Sequence, residues 1–295
     1  MLKNNYNNNK IIKKINISND KNFNSYLAGL FEGDGHIWFS KNSLKKRHNP
    51  RFCITFNLKN ELLAKKLLEI IGYGFIRYKP KDNACVLVVS PVKGLEKIVG
   101  LINGKLRTPK VVQLYTLIEW LNKNHNLAIM KLPLKKGNLG EDSWLAGFID
   151  ADGSFSIIQT KLEQGAKKRK ISCRLRIEQR MYDPLTKESY FNILTEIAKF
   201  LCCNLNTRKQ KSTRNEYFNL SASNRRSLLI ILGYFILFPL YSSKHLDFKD
   251  WEKAVILILN KNHYTKKGII EISLLKNSMN LKRTLFNWDH LNNLY

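Results

Sequence analysis

Acidic residues are scarce in this 295-residue chain: 23 Asp and Glu stand against 50 Lys and Arg, a formal charge of +27. Charge of that size repels itself in a compact state, so a polyanionic partner is implied, nucleic acid ahead of an anionic membrane surface. Cysteine is sparse too. Cys53, Cys85, Cys173, Cys202 and Cys203 form no CxxC pair, which excludes a zinc ribbon and a disulfide framework. The six histidines show neither HNH nor zinc-ligand spacing. Long apolar runs are also missing. The longest, Leu228 to Tyr241, is broken by Gly233 and Pro239 and is shorter than the ~20 residues that cross a bilayer. It reads as a buried helix, and no membrane partner is expected. Residues 1–24 lack both an apolar signal segment and arginine, so they read as a basic Asn/Lys-rich tail. The chain is expected to be intracellular. Its bias toward Asn, Lys, Ile and Tyr is what an AT-rich coding sequence produces and points to an organellar genome, the mitochondrion.

What is present is enough for a core: 44% of residues are hydrophobic and 11% aromatic, which excludes bulk disorder. An internal repeat organises the chain. Tyr26-Leu-Ala-Gly-Leu-Phe-Glu-Gly-Asp-Gly35 recurs 118 residues later as Trp144-Leu-Ala-Gly-Phe-Ile-Asp-Ala-Asp-Gly153. Each copy leads into an alternating segment, a basic tip containing Lys46 and Arg47 or Lys168 and Arg169, and a second alternating segment. Near the end of each half a lysine, Lys110 or Lys244, precedes a helical pattern. The reading is α+β: an N-terminal domain over 25–121, a linker over 122–142 broken by Pro133, Gly137 and Gly140, and a C-terminal domain over 143–295.

Ser25 is a fitting N-cap, with Ser143 in the second copy, and Leu27, Leu30 and Phe31 follow at helical spacing. Gly29 and Gly33 lie on one face of that helix, as do Gly147 and Ala151 in the second copy. Glycine costs about 1 kcal/mol in a helix relative to alanine, so its placement makes sense if the two motif helices pack closely there. Gly35 and Gly153 fall where a helix C-cap favours glycine. Glu32 and Asp34, like Asp150 and Asp152, then crowd helix C-termini, where the dipole is already negative. Two such ends brought together call for hard divalent cations with oxygen ligands, Mg2+ first. In a basic protein this reads as a metal site facing phosphate.

On these residues, Leu27 to Gly35 and Leu145 to Gly153, the chain resembles the LAGLIDADG homing endonucleases in their single-chain, two-motif form. The resemblance covers both halves and implies a pseudo-symmetric fold, with motif helices at the interface and two antiparallel sheets forming a saddle on DNA. It implies that Asp34 and Asp152 bind divalent metal, with the carbonyls of Gly33 and Ala151 as further ligands. Lys110 and Lys244 match basic residues near each scissile phosphate. Gln179 matches a polar residue that orients the attacking water, and Leu58 takes the equivalent place in the first half. Glu32 and Asp150 are left as structural.

Alternation along strands sets the expected DNA face. In the first half it presents His36, Trp38 and Ser40, then Arg51, Thr55, Asn57 and Lys59, then Arg77 and Lys79. In the second half it presents Ser154, Ser156, Arg174, Arg176, Glu178 and Arg180. Basic and amide side chains on one sheet face suit the major groove, and the basic tips suit phosphate. The expected function is site-specific, Mg2+-dependent double-strand DNA cleavage by an intron-encoded monomer; Mn2+ or Ca2+ can occupy the same donors. The alternative is an RNA maturase acting on its host intron, alone or in addition. A third reading, a DNA-binding regulator, is disfavoured because both acids are intact.

Overall fold

The computed structural model describes residues 19–40, 48–160, 170–210 and 214–294. Lys46, Arg47, Lys168, Arg169 and the tail as far as residue 18 lie outside them. The first half runs α1 (Asn19–Asp34), β1 (Gly35–Trp38), β2 (Arg51–Asn57), α2 (Glu61–Ile71), β3 (Phe75–Lys79), β4 (Ala84–Val89), α3 (Val92–Ile102) and α4 (Val111–His125). The second half repeats that order: α5 (Trp144–Asp152), β5 (Gly153–Gln159), β6 (Ile171–Arg180), α6 (Phe191–Phe200), β7 (Leu205–Lys209), β8 (Glu216–Ala222), α7 (Arg225–Leu237) and α8 (Lys244–Leu259). One further helix, α9 (Lys266–Asn277), follows. The two sheets are antiparallel with matching strand orders, β1-β2-β4-β3 and β5-β6-β8-β7.

One face of each sheet is covered by helices. α2 turns Leu63, Ala64, Leu67 and Ile71 inward, and α6 does the same with Ile193, Leu194, Ile197 and Ala198. This is the apolar stripe of period 3.6 that a helix needs in order to seat on a sheet. The buried side chains of both halves form one continuous core across the α1–α5 contact. Among the described residues no helix covers the other face of either sheet.

Four local expectations change. Helix α1 begins at Asn19, so Ser25 lies buried inside it and caps nothing; Phe23, packed into the core, draws the earlier turn into the helix. Ser143 precedes α5 but makes no side-chain cap. Asp142 Oδ1 accepts the Trp144 N–H at 2.8 Å instead, while Ser143 Oγ donates to the Asn22 carbonyl. Gly153 does cap α5, its N–H donating to the Ile149 carbonyl, but neither it nor Gly35 is left-handed: each opens a strand, Gly153 with φ −83°. Their need for glycine is space, since a Cβ would sit 2.6 Å from the Phe31 carbonyl oxygen or 2.8 Å from that of Ile149. The Leu228–Tyr241 run is likewise not a buried helix. α7 turns Leu228, Ile231, Tyr234 and Phe235 inward and leaves Leu229, Ile236 and Leu237 exposed.

Between α4 and a short 3-10 turn at Leu139–Glu141 the chain carries no helix or strand, and it is tied to the first half. Asn122 brackets Ile129 through two bonds of 2.9 and 3.0 Å, and the Lys135 N–H donates to the Leu106 carbonyl. Among the described residues no helix is long and apolar enough to cross a membrane.

Candidate active site

Helices α1 and α5 meet backbone to backbone. A Cβ on Gly29 would stand 2.0 Å from the Trp144 carbonyl oxygen, and one on Gly147 would stand 2.0 Å from that of Tyr26. At Gly33 the obstruction is the Ala151 methyl, at 2.1 Å. This approach brings four carboxylates to one end of the helix pair, where they divide into two kinds.

Glu32 and Asp150 are buried. Glu32 accepts the backbone N–H groups of Arg107 (3.0 Å) and Thr108 (2.6 Å), and Trp144 Nε1 at 2.5 Å. Asp150 accepts the N–H groups of Tyr241 (2.7 Å) and Ser242 (3.1 Å), the Ser242 hydroxyl, and Tyr26 O–H at 2.7 Å. The arrangement is reciprocal. The aromatic that opens each copy of the repeat reaches across to the buried acid of the other. Each acid also fixes the backbone just ahead of α4 or α8. Burial lifts the Glu32 pKa to about 7, although the N–H bonds it accepts oppose the shift.

Asp34 opens onto the cleft and Asp152 is half-buried there. Desolvation raises both pKa values. Asp152 reaches about 6, with the charge of Asp34 adding to the shift and Lys110, Lys244 and a 2.9 Å bond from Gln179 Nε2 opposing it. For Asp34 the main opposing cation is Lys244, from the other half; for Asp152 it is Lys110. Carboxylates and ammoniums therefore interleave across the pseudo-twofold axis.

The lysines do not reach solvent alone. Lys110 Nζ donates to the carbonyls of Gly33 (2.8 Å), Gly35 (2.9 Å) and Phe31 (3.4 Å). Lys244 Nζ donates to those of Ala151 (2.6 Å), Asp150 (2.8 Å) and Ile149 (3.1 Å). Each ammonium thus closes the negative end of its own motif helix. Burial lowers both lysine pKa values. Thr108 Oγ1 and Ser242 Oγ accept the N–H groups of Lys110 and Lys244, so the same hydroxyl-x-Lys turn serves each half.

Among the described residues no three His, Cys, Asp or Glu side chains converge as a metal cage. The donors at the axis are all oxygen: two carboxylates whose like charges oppose each other's ionisation, and the Gly33 and Ala151 carbonyls, each with a second lone pair beyond the lysine bond. That set fits a hard divalent cation whose remaining positions are filled by water or phosphate. A 220 Å³ cavity opens beside Asp34, lined by Phe56, Asn57, Lys59, Asn60 and Lys244.

Strand register corrects the counterpart of Gln179. Gly35 stands opposite Ile54 and Gly153 opposite Ile177, so Gln179 matches buried Phe56, not Leu58. Leu58 lies two residues on, at the start of a 3-10 turn. The departure itself remains: an apolar side chain stands where the second half has an amide.

The helix-free faces collect the expected strand residues. His36, Trp38, Arg77 and Lys79 are exposed, while Ser40, Arg51 and Thr55 are half-buried. Asn57 and Lys59 sit at the inner end of the first sheet, on the cavity by Asp34. In the second sheet Ser154 and Arg180 are exposed, and Ser156, Arg174 and Arg176 are half-buried. Glu178 is not a free acceptor. It takes bonds from Arg176, from Arg208 at 2.9 Å and from Asn219 at 3.0 Å, holding all three in place. The sequence did not single out Tyr26, Trp144, Thr108 or Ser242; their common signal is matching place in the repeat. It also passed over the turn that Asp183 organises through Leu185, Thr186 and Tyr190, which has no counterpart in the first half.

Fold and site together define a two-fold repeated α/β protein with an acidic, oxygen-lined centre between two open sheets. The sequence signature of the LAGLIDADG endonucleases matches residues 27–121 and 145–255, and the chain belongs to that family. Enzymes of the family depend on divalent metal in general. Over 99% of its length the chain is 32% identical to the intron-encoded DNA endonuclease aI3 of Saccharomyces cerevisiae, covering 78% of that protein. It is 31% identical over 88% of its length to an uncharacterized 37.2 kDa protein of cox1 intron 2 in Schizosaccharomyces pombe, covering 73% of it. The solved structure of the I-LtrWI LAGLIDADG homing endonuclease bound to target DNA superposes with a TM-score of 0.68 at 20% identity, covering 90% of this chain and 99% of that one.

Proposed function

We propose that this protein is an intron-encoded, site-specific DNA endonuclease that makes a double-strand break, working as a monomer in the mitochondrion. The observation that carries this reading is the intact pair Asp34 and Asp152, held open to the cleft at the junction of α1 and α5 while Glu32 and Asp150 are consumed by the interface. In the reading, residues 25–121 and 143–295 each serve one half of the target, and residues 122–142 join them.

Asp34 and Asp152 hold divalent metal together with the Gly33 and Ala151 carbonyls. The cation, Mg2+ by its preference for oxygen donors and with Mn2+ or Ca2+ able to take the same place, supplies Lewis acidity to the phosphate and charge to activate a water. Lys110 and Lys244 neutralise the helix-end carbonyls, which lowers the repulsion an incoming phosphate meets. Gln179, anchored on Asp152, orients a water on one strand. Phe56 excludes that contact on the other strand, so the two cuts proceed at unequal rates. The outward strand residues seat the duplex, and the basic tips hold its backbone.

The test is cleavage of a randomised DNA library with Mg2+, beside an EDTA control and the Asp34→Asn/Asp152→Asn variant. Selective double-strand cuts that need metal and vanish in the variant are expected. Cutting that persists in the variant sinks the assignment. No cutting, together with tight capture of a structured intron RNA, moves the function to the maturase.

A further inference from the structure

The two helix-free faces match in backbone but not in chemistry. Strand register aligns them row by row. The first sheet carries the rows His36–Cys53–Val88–Phe75 and Thr55–Val86–Arg77. At the same places the second carries Ser154–Arg176–Ser221 and Glu178–Asn219–Asn206. Arg176 therefore stands where Cys53 does, Asn219 where Val86 does, and Ser221 where Val88 does.

The middle of the first face is apolar. Cys53, Val86 and Val88, only 2%, 1% and 1% exposed, form a cluster of their own, cut off from the main core by the sheet. Phe75, 50% exposed, and Trp38, 39% exposed, stand beside it. The cations lie around this patch: Arg51 stacks on Trp38 at 4.9 Å, and Arg77 and Lys79 follow along β3. The middle of the second face is a polar network in which Glu178 fixes Arg176, Arg208 and Asn219.

An apolar surface cannot read donors and acceptors, and pressing it on polar base edges strips their water without return. In the major groove the one apolar feature is the C5 methyl of thymine, whereas arginine and asparagine pair with guanine and adenine edges. We infer that the half-site beneath β1–β4 is read through thymine methyl groups against the exposed rings of Phe75 and Trp38, with the buried Cys53–Val86–Val88 cluster leaving no hydrogen-bonding side chain between them. The half-site beneath β5–β8 is read by hydrogen bonds from Arg176, Arg208 and Asn219 to purines, guanine first. This rests on the endonuclease reading and names the sequence chemistry that each half accepts.

The test starts from a target recovered in the library experiment. Arg176→Ala relaxes base preference in one half, and that half is the one under β5–β8. Each thymine is then replaced singly by uracil, which removes the methyl and keeps every hydrogen-bonding group. Binding is expected to weaken about fourfold per methyl at the contacted positions of the β1–β4 half, and less than about twofold in the other. In the Trp38→Ala/Phe75→Ala variant the uracil effect should vanish while binding to the other half persists. A G·C-rich sequence beneath β1–β4, an equal loss in both halves, or a uracil effect unchanged in that variant overturns this inference alone. A protein that selects no DNA sequence overturns the endonuclease reading and this inference with it.

Discussion

The same substitution, glycine to alanine inside a helix, should have opposite signs at two pairs of positions in this protein. At Gly29 and Gly147 the new Cβ would stand 2.0 Å from a backbone carbonyl oxygen of the facing helix. Carbon and oxygen need about 3.5 Å, so α1 and α5 must separate by more than an ångström, since neither obstruction is a flexible side chain. That movement strains the packing of Tyr26, Trp144 and Phe148 and stretches the bonds Trp144 Nε1–Glu32 and Tyr26 O–H–Asp150, now 2.5 and 2.7 Å. Overpacking costs about 1–3 kcal/mol and each weakened buried bond about 1 kcal/mol, against about 1 kcal/mol of helix propensity gained. The net loss is about 2–4 kcal/mol, which for a chain of this size lowers Tm by about 4–8 °C. At Gly100 in α3 and Gly233 in α7 nothing lies within 4 Å of a new Cβ, so alanine should gain about 1 kcal/mol and raise Tm by about 2 °C. Thermal melts of the four single variants, beside metal-dependent cleavage, make the comparison. Cleavage should fall with Gly29→Ala and Gly147→Ala, because Asp34 and Asp152 are carried on the displaced helices, and should be untouched by the other two. A Gly29→Ala protein as stable as Gly100→Ala would refute the close-contact reasoning.

In the proposed site Asp152 holds the cation as a carboxylate, and its pKa is raised to about 6, so Mg2+ affinity by calorimetry should be steady above pH 7 and fall roughly tenfold per pH unit below about 6. Gln179→Ala should slow one strand cut by about 10–100-fold and leave the other near its original rate, visible as accumulating nicked plasmid. His245 in the first turn of α8 stacks at 4.2 Å on His290 of the 3-10 turn Asp289–Asn293, with burial pushing His245 down to about 4. Burial lowers His290 as well, so the unfolded chain takes up protons first as pH drops below 6.5, and the stability the pair allows is lost as pH falls from there toward 4. Hydrogen exchange should show residues 286–294 opening at pH 5 but not at pH 7.5, and His290→Phe should remove that difference. Glu32 shifts the other way: its pKa rises from 4.5 to about 7, so its contribution is fullest below 4.5 and is lost as pH climbs through 7. Glu32→Gln removes this dependence but turns an amide N–H2 toward N–H donors, costing about 1–3 kcal/mol at pH 5 in urea melts.

What could be read from the chain was whatever sits within one contiguous stretch. The ten-residue repeat contains the glycines, the acids and the helix period, so the facing helices and the acidic ends were legible together. Strand faces were legible wherever alternation is clean, as in Ile171–Arg180 with its alternate burial. Features that depend on distant partners were not. Ser25 has the residue type of a cap, yet Phe23 finds a core position that extends the helix past it. The counterpart of Gln179 depends on a register fixed only when β1 pairs with β2, and the connections between those strands differ in length. Trp144 and Glu32 are 112 positions apart, and no local pattern links an indole to a carboxylate at that range.

The agreement and divergence between the halves follow from what each position would lose. Around the axis the pairs Tyr26 and Trp144, Glu32 and Asp150, Thr108 and Ser242, and Lys110 and Lys244 keep their chemical roles although several change identity. A change that removed an acceptor there would strand buried N–H groups at about 1–3 kcal/mol each, and one that removed an ammonium would expose helix-end carbonyls to two carboxylates. On the helix-free faces such obligations are confined to the Glu178 network of the second sheet. Cys53 can stand for arginine, and Val86 for asparagine, without stranding a partner, because the acid that Arg176 and Asn219 bond in the second half, Glu178, is Thr55 in the first. Under the proposed function the interior of this fold therefore fixes where the chemistry happens, and the sheet faces are left to decide on which sequence.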